Sequence, residues 1–163
     1  MISSFVLGNT LWHTGGMKLF SISILLLLAT ASQAQWPDSP LVNVPVCAAS
    51  GEQAQPQIVV TPDGSSYITW LDNRSGGYDV YMQRMDATGT PQWQTDGVLI
   101  SDRNYSSTTD YDLTLDFGGN AVVAYRRNLI GGDGIQVTSV NTSGVVQWNT
   151  LVQSAGSFVA SPV

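Results

Sequence analysis

Two short stretches carry the carboxylates and glycines that a hard cation would use. Asp110-Tyr111-Asp112 with Asp116, and Gly131-Gly132-Asp133-Gly134, could set oxygen ligands around Ca²⁺. Neither has the 1, 3, 5, 12 ligand spacing of an EF-hand loop, and Asp beside Gly is also ordinary turn chemistry. Nucleophilic catalysis lacks its parts. His13 is the single His and falls in an N-terminal leader, so no Ser-His-Asp or Cys-His arrangement is available to the mature chain. Cys47 is the single cysteine, which excludes an intrachain disulfide and reads as a small buried hydrophobe. Glu52 is the single Glu, and no pair of carboxylates facing across a cleft can be identified. The residue types and spacings therefore assign no catalytic residue, no cofactor-binding residue and no metal ligand, and imply no cofactor.

Composition narrows the partners. The chain has 163 residues with a formal net charge of −6, and every basic residue after Lys18 is an Arg. Such an acidic chain is a poor match for a phosphate backbone, so no nucleic-acid partner is expected. Nearly all the carboxylates are Asp, which favours turns and local side-chain to backbone hydrogen bonds over helix interiors. The 16 glycines agree, and together they point to many short strands joined by turns.

The N-terminal part reads as a targeting segment. Met17-Lys18-Leu19-Phe20 supplies a short positive start, Ile22 to Ala29 an apolar stretch, and Ser32-Gln33-Ala34 a small-residue cleavage site. Met17 is the expected initiator, because residues 1–16 contain no Lys or Arg. The apolar run is far shorter than the ~20 residues that span a bilayer, so no retained membrane span is expected. The expectation is a secreted or cell-surface protein, released by cleavage near Ala34.

Beyond the leader the chain is self-similar. Trp36, Trp93 and Trp148 recur at a nearly constant interval, each preceded by Gln. The shift that carries Trp93 onto Trp148 also superposes Gly64 on Gly119, Asn73 on Asn128, Gly76-Gly77 on Gly131-Gly132 and Gly89 on Gly144. The apolar positions stay in phase: Ile58 with Leu113, Ile68 with Val123, Trp70 with Tyr125, Val80 with Ile135 and Met82 with Val137. Alternation and turn chemistry place four antiparallel strands per unit, at Gln57–Thr61, Ser66–Leu71, Tyr78–Met85 and near Val98–Ser101. No stretch after the leader shows a helical period. A four-stranded unit of this length matches a propeller blade, for which periods run from about 40 to about 50 residues, whereas an immunoglobulin-like sandwich needs about 100. The expected fold is all-β and β-propeller-like, with two four-stranded antiparallel blades plus a partial third. Its boundaries are residues 1–34 for the leader, 35–92 and 93–147 for two units, and 148–163 for the opening of a third.

The first unit carries Val46-Cys47-Ala48-Ala49-Ser50-Gly51-Glu52-Gln53, Pro56-Gln57-Ile58-Val59, Asp63-Gly64, Ile68-Thr69-Trp70, Asp72-Asn73-Arg74-Ser75-Gly76, Asp79-Val80-Tyr81, Gln83-Arg84, Asp86-Ala87-Thr88-Gly89 and Trp93. In these residues the chain resembles secreted bacterial tandem-repeat proteins of the Bacteroidetes type, whose repeats look like β-propeller blades distantly related to sialidase repeats. The resemblance implies a propeller without a known activity. The second unit departs from the pattern, with Arg127 where the first has Asp72, Leu129 for Arg74 and Gly134 for Asp79, so a charged cluster recurring in every unit is excluded. Arg74 is expected to pair with Asp72 or Asp79 at the surface, with no counterpart in the second unit. Thr61-Pro62-Asp63-Gly64-Ser65 resembles the sialidase Asp-box in part, but Gly64 follows the Asp directly and Trp70 comes too late; that motif stabilises a turn and is not catalytic.

These readings imply an exported, non-catalytic repeat module with a binding or scaffold role toward a glycan or protein, completed by further blades or by self-association. The alternative is the N-terminal part of a secreted, sialidase-like glycan hydrolase with its catalytic residues on other blades. Asn73-Arg74-Ser75, Asn104-Tyr105-Ser106 and Asn141-Thr142-Ser143 match the glycosylation acceptor pattern only by residue type. The three tryptophans Trp36, Trp93 and Trp148 are expected at equivalent points of successive units, with their rings packed between sheets.

Overall fold

The computed structural model describes Trp36, Ser39 and residues 41–103, 107–109, 111–130 and 132–153. The leader, Asp110, Gly131, the Asn104 acceptor and residues 154–163 lie outside the described residues. Eight strands form: β1 (Gln53–Val60), β2 (Ser66–Asp72), β3 (Asp79–Met85), β4 (Val98–Ser101), β5 (Asp112–Leu115), β6 (Ala121–Leu129), β7 (Gly132–Val140) and β8 (Val146–Gln153). They make two four-stranded antiparallel sheets, ordered β1-β2-β3-β4 and β5-β6-β7-β8. The protein is all-β, and among the described residues no helix is long and apolar enough to cross a membrane.

The hairpins explain why the chain turns where it does. Asp86 accepts from the amides of Thr88 and Thr90, each at 2.9 Å, while its own amide donates to the Thr90 carbonyl at 3.0 Å. Asp116 does the same with Gly118 and Asn120, and Asn141 with Ser143 and Val145. At Thr61–Ser65 the side chain moves to Asp63, which accepts from the Ser65 amide at 3.0 Å. In all four turns the fourth residue is a glycine with φ between +78° and +82°, a conformation that costs a side-chain-bearing residue energy. β1 is an edge strand that tolerates Pro56, because its pairing with β2 shifts register between Ala54 and Gln57.

Alternation then decides the packing. One face of the first sheet presents Tyr67, Thr69, Leu71, Val80 and Met82; the second sheet meets it with Leu113, Ala121, Val123, Tyr125 and Val140. Tyrosines complete the seam by placing their rings in the core and their hydroxyls on backbone. Tyr67 donates to the Gly119 carbonyl at 3.1 Å, and the single O–H of Tyr111 is shared between the carbonyls of Thr69, at 3.0 Å, and Gln55.

The two sheets use opposite faces in this contact. Under the shift that carries Trp93 onto Trp148, Tyr67, Leu71, Val80 and Met82 correspond to Val122, Arg126, Ile135 and Val137, on the face of the second sheet turned away from the first. Conversely Leu113, Val123 and Tyr125 correspond to Ile58, Ile68 and Trp70, on the outward face of the first. Packing of this head-to-tail kind leaves on each sheet an outward face made of the positions whose equivalents the other sheet has buried in the contact.

The tryptophans divide. Trp93 is half-buried beside Tyr67, with ring centroids 5.9 Å apart, and its Nε1 donates to the Thr142 carbonyl at 2.9 Å. Trp148, in β8, corrects the expectation of a ring packed between sheets: it is 45% exposed.

Candidate functional site

A dense polar group lies on the outward face of the first sheet. Alternation along β2 puts Trp70 and Asp72 on that face, and Tyr81 joins them from β3, opposite Trp70. Trp70 and Tyr81 stack with centroids 6.3 Å apart. Asp72 is fully buried and accepts from Trp70 Nε1 at 2.8 Å, Arg74 Nε at 2.9 Å and the Arg74 amide at 3.0 Å. The Arg74 guanidinium also forms an ion pair with it at 2.5 Å, lies 4.0 Å from the Tyr81 ring centre, and donates to the Asp96 carbonyl at 3.0 Å. Arg74 therefore chooses Asp72 over Asp79, and the pair is sunk into the sheet where a surface pair is expected from the sequence.

Asp79 stands directly across from Asp72 in the β2–β3 ladder. Two carboxylates so placed would repel, and each is supplied with its own donors. Asp79 accepts from the Ser75 hydroxyl and from the Arg103 amide at 3.0 Å. Burial pushes the Asp72 carboxyl up, but the hydrogen bonds from Arg74 and Trp70 together outweigh it, so Asp72 titrates below the ordinary carboxylate range. Its hydrogen bond to Asp72 holds the Arg74 guanidinium above its ordinary value. A carboxylate saturated in this way, with its arginine locked to it, has no free lone pair to act as base or nucleophile.

Beside this cluster is a cavity of about 310 Å³ lined by Val44, Pro45, Val46, Cys47, Gln53, Pro56, Ile68 and Trp70. Its walls are apolar apart from Gln53 and Cys47. Cys47 departs from the expected buried hydrophobe: it is half-buried, and its Sγ lies 3.2 Å from Arg74 Nη2 and 3.9 Å from the Asp72 carboxylate.

The single Glu meets a tyrosine. Tyr78 donates its hydroxyl to Glu52 at 2.5 Å at the loop end of the first sheet, where Asn73 accepts from the Glu52 amide at 2.7 Å. That hydrogen bond, with lesser help from burial and the Glu52 charge, raises the Tyr78 phenol above its ordinary value, so it stays protonated at neutral pH. A protonated phenol beside the only Glu, with Arg74 turned to Asp72, does not supply an activated nucleophile.

Of the aspartates that could ligate Ca²⁺, Asp116 and Asp133 are engaged within the fold. Asp116 caps its turn through Gly118, Asn120 and the Asn120 side-chain amide at 2.9 Å. Asp133 pairs with Arg126 across β6 and β7, while Asp112 is exposed at the start of β5. The second sheet thus has an ion pair of its own, at positions that do not correspond to Asp72 and Arg74. Among the described residues no three His, Cys, Asp or Glu side chains come together as a metal group.

Two residues to which the sequence assigns no role organise this region. Arg103, in the link between the sheets, is fully buried and ties Asp79 of the first sheet to the second by donating from Nε to the Arg126 carbonyl at 2.9 Å. Gln83, also fully buried, donates to the Gln94 carbonyl at 2.9 Å and accepts from the Trp93 amide at 3.0 Å. Gln83 is marked in the sequence only by its place in the repeat pattern, and Arg103 only as a polar residue next to a strand. No family model, curated protein or solved structure matches the chain.

Proposed function

We propose that this chain is an exported, non-catalytic repeat module of β-propeller type, serving to bind a glycan or a protein at or beyond the cell surface. The observation that carries the reading is the head-to-tail packing of two sheets of the same strand order and turn geometry, repeated at the interval that separates Trp93 from Trp148. Sheets stacked in that sense build a propeller or an open array, and such arrays use the loops at their ends as binding surfaces. Support for a non-catalytic role comes from the polar groups themselves, since Asp72, Arg74, Asp79 and Asp116 are engaged in ordering strands and turns. The leader grammar before Ala34 supports export.

The loop end of the first sheet, with Glu52, Asn73 and Tyr78, is the expected binding surface. The chain incubated with a panel of immobilised and soluble oligosaccharides should bind without releasing sugar, and Tyr78→Ala should weaken that binding while leaving the circular dichroism spectrum unchanged. Steady release of free sugar would overturn the non-catalytic reading in favour of a hydrolase.

A further inference from the structure

Two tryptophans make the same contact with a turn. The indole of Trp36 lies on Gly89, so that an added Cβ there would meet Cδ2 at 3.1 Å and Cε3 at 3.2 Å. The indole of Trp93 lies on Gly144, where an added Cβ would meet Cδ2 at 3.1 Å and Cε2 at 3.2 Å. Gly89 and Gly144 are the left-handed glycines of the β3–β4 and β7–β8 hairpins, at φ +80° and +78°. The absent side chain is what lets a flat ring approach the turn so closely.

Trp148 has the position for a third such contact. Like Trp93 it follows a hairpin glycine by four residues, and it pairs with Ser139 on the face of the second sheet turned away from the first. It is 45% exposed, and the rings that lie nearest the hairpin glycines Gly89 and Gly144 are those of Trp36 and Trp93. Val122, Ala124 and Val137 share that face by register and are only half-buried.

We propose that the face bearing Trp148, Val122, Ala124 and Val137 is a docking surface for one further four-stranded unit, whose hairpin offers a left-handed glycine to the Trp148 indole. This rests on the repeat reading. Continuity with the interface already present supports it: the corresponding face of the first sheet, with Tyr67, Leu71, Val80 and Met82, is covered by a sheet whose hairpin glycine receives Trp93. A second copy of the chain is a poorer occupant. Its Gly89 already carries Trp36 and its Gly144 already carries Trp93, so neither hairpin of the kind used in the existing interface, between third and fourth strands, has an open glycine; Gly119 is open but lies in a β5–β6 turn, at the other strand junction.

The test extends the protein in register, repeating residues 99–153 directly after Gln153, and compares it with the natural chain. In the extended protein Trp148→Ala should lower the melting temperature by about 5 °C or more, with Trp148→Phe recovering part of the loss. In the natural chain the same substitution should shift it by roughly 1 °C or less, in keeping with a side chain already near water. Trp148 emission, taken as the difference between the parent and Trp148→Phe, should move to the blue on extension. An added unit that raises the β signal but leaves melting and emission indifferent to Trp148 would overturn the docking surface while the repeat reading stands. Added residues that contribute no β signal would overturn both. A natural chain that dimerises through Trp148, with the dimer abolished by Trp148→Ala, would assign a second copy and overturn the proposal.

Discussion

The two sheets share a strand order and solve the same problem at their outer edges differently. In the second sheet β8 is one continuous strand from Val146 to Gln153 that pairs with β7 through two register shifts. In the first, the chain leaves the Asp86–Thr90 turn, touches β3 at the Met85–Pro91 bridge, and resumes a ladder only at Val98. Gln83 accounts for the gap: its side-chain amide bonds the backbone at Trp93 and Gln94, replacing direct strand pairing. The equivalent position in the second sheet is Thr138, too short to reach across, and there β7 pairs with Asn149 directly. The detour also makes room for a large ring, since an added Cβ on Gly97 would lie 2.5 Å from Trp70 Cη2. A single buried amide thus changes an edge strand into a loop that covers Trp70 and brings the Asp96 carbonyl to Arg74.

The largest expected effect separates the sheets by their charges. Asp72→Ala removes the acceptor of Trp70 Nε1, the Arg74 amide and the Arg74 guanidinium at a fully buried point. Breaking a buried pair on one side should cost about 3 kcal/mol, read as a fall in the urea midpoint with an unchanged slope. A loss near zero would mean that the cluster is not what fixes the loop after β2. Gln83→Ala comes next, because it strands the Gln94 carbonyl and the Trp93 amide, and a cost of about 2 kcal/mol is expected. Asn149→Ala, at an exposed site where β8 meets β7 through backbone pairing that the substitution leaves intact, should cost well under about 1 kcal/mol. Hydrogen exchange at Trp93 should quicken in Gln83→Ala while β8 keeps its protection.

Acid should distinguish the sheets as well. In the first, Asp72, Asp63 and Asp86 all titrate below the ordinary range, Asp63 chiefly through the Thr61 hydroxyl and Asp86 through that of Thr88. In the second, Asp116 is depressed by Asn120, while Arg127 stands at the Asp72 position and Asn141 at that of Asp86. A depressed carboxylate stabilises the fold above its unfolded value of about 4 and loses that contribution as the pH falls through its lower folded value. More such groups lie in the first sheet, so its amides in β2 and β3 should lose protection before those of β6 and β7 as the pH is taken from about 5 toward about 2. Simultaneous loss would show that the two sheets unfold as one unit.

How much of this is legible in the sequence depends on whether a residue's role is local. The hairpins at Asp86 and Asn141 are readable because an Asx side chain and a left-handed glycine act within one tight turn. The strands follow from alternation, and β2, β3 and β4 lie within a residue or so of their expected bounds. Gln83 and Arg103 are not readable, since each acts by reaching a backbone group far along the chain that no spacing rule marks. The depth of Asp72 escapes for a related reason: a loop-edge Asp beside Arg has the pattern of a surface pair, but here Trp70, Arg74 and Cys47 gather round the carboxylate and the Asp96 carbonyl holds Arg74 in place.

The smallest expected effect tests the other ion pair. Arg126 and Asp133 sit near facing ends of β6 and β7 and are each about a quarter exposed, at 26% and 24%. Water already solvates part of both groups, so their attraction is screened and the side-chain ordering it requires offsets most of the gain. Asp133→Ala should therefore cost no more than about 1 kcal/mol, and the difference between parent and variant should shrink in about 1 M salt, where the Debye length falls to about 3 Å. Asp72→Ala should keep most of its cost in the same salt, because its partners meet it in the protein interior. Equal salt sensitivity of the two variants would erase the distinction drawn between the sheets, and would mean that the loop over Trp70 admits solvent to Asp72.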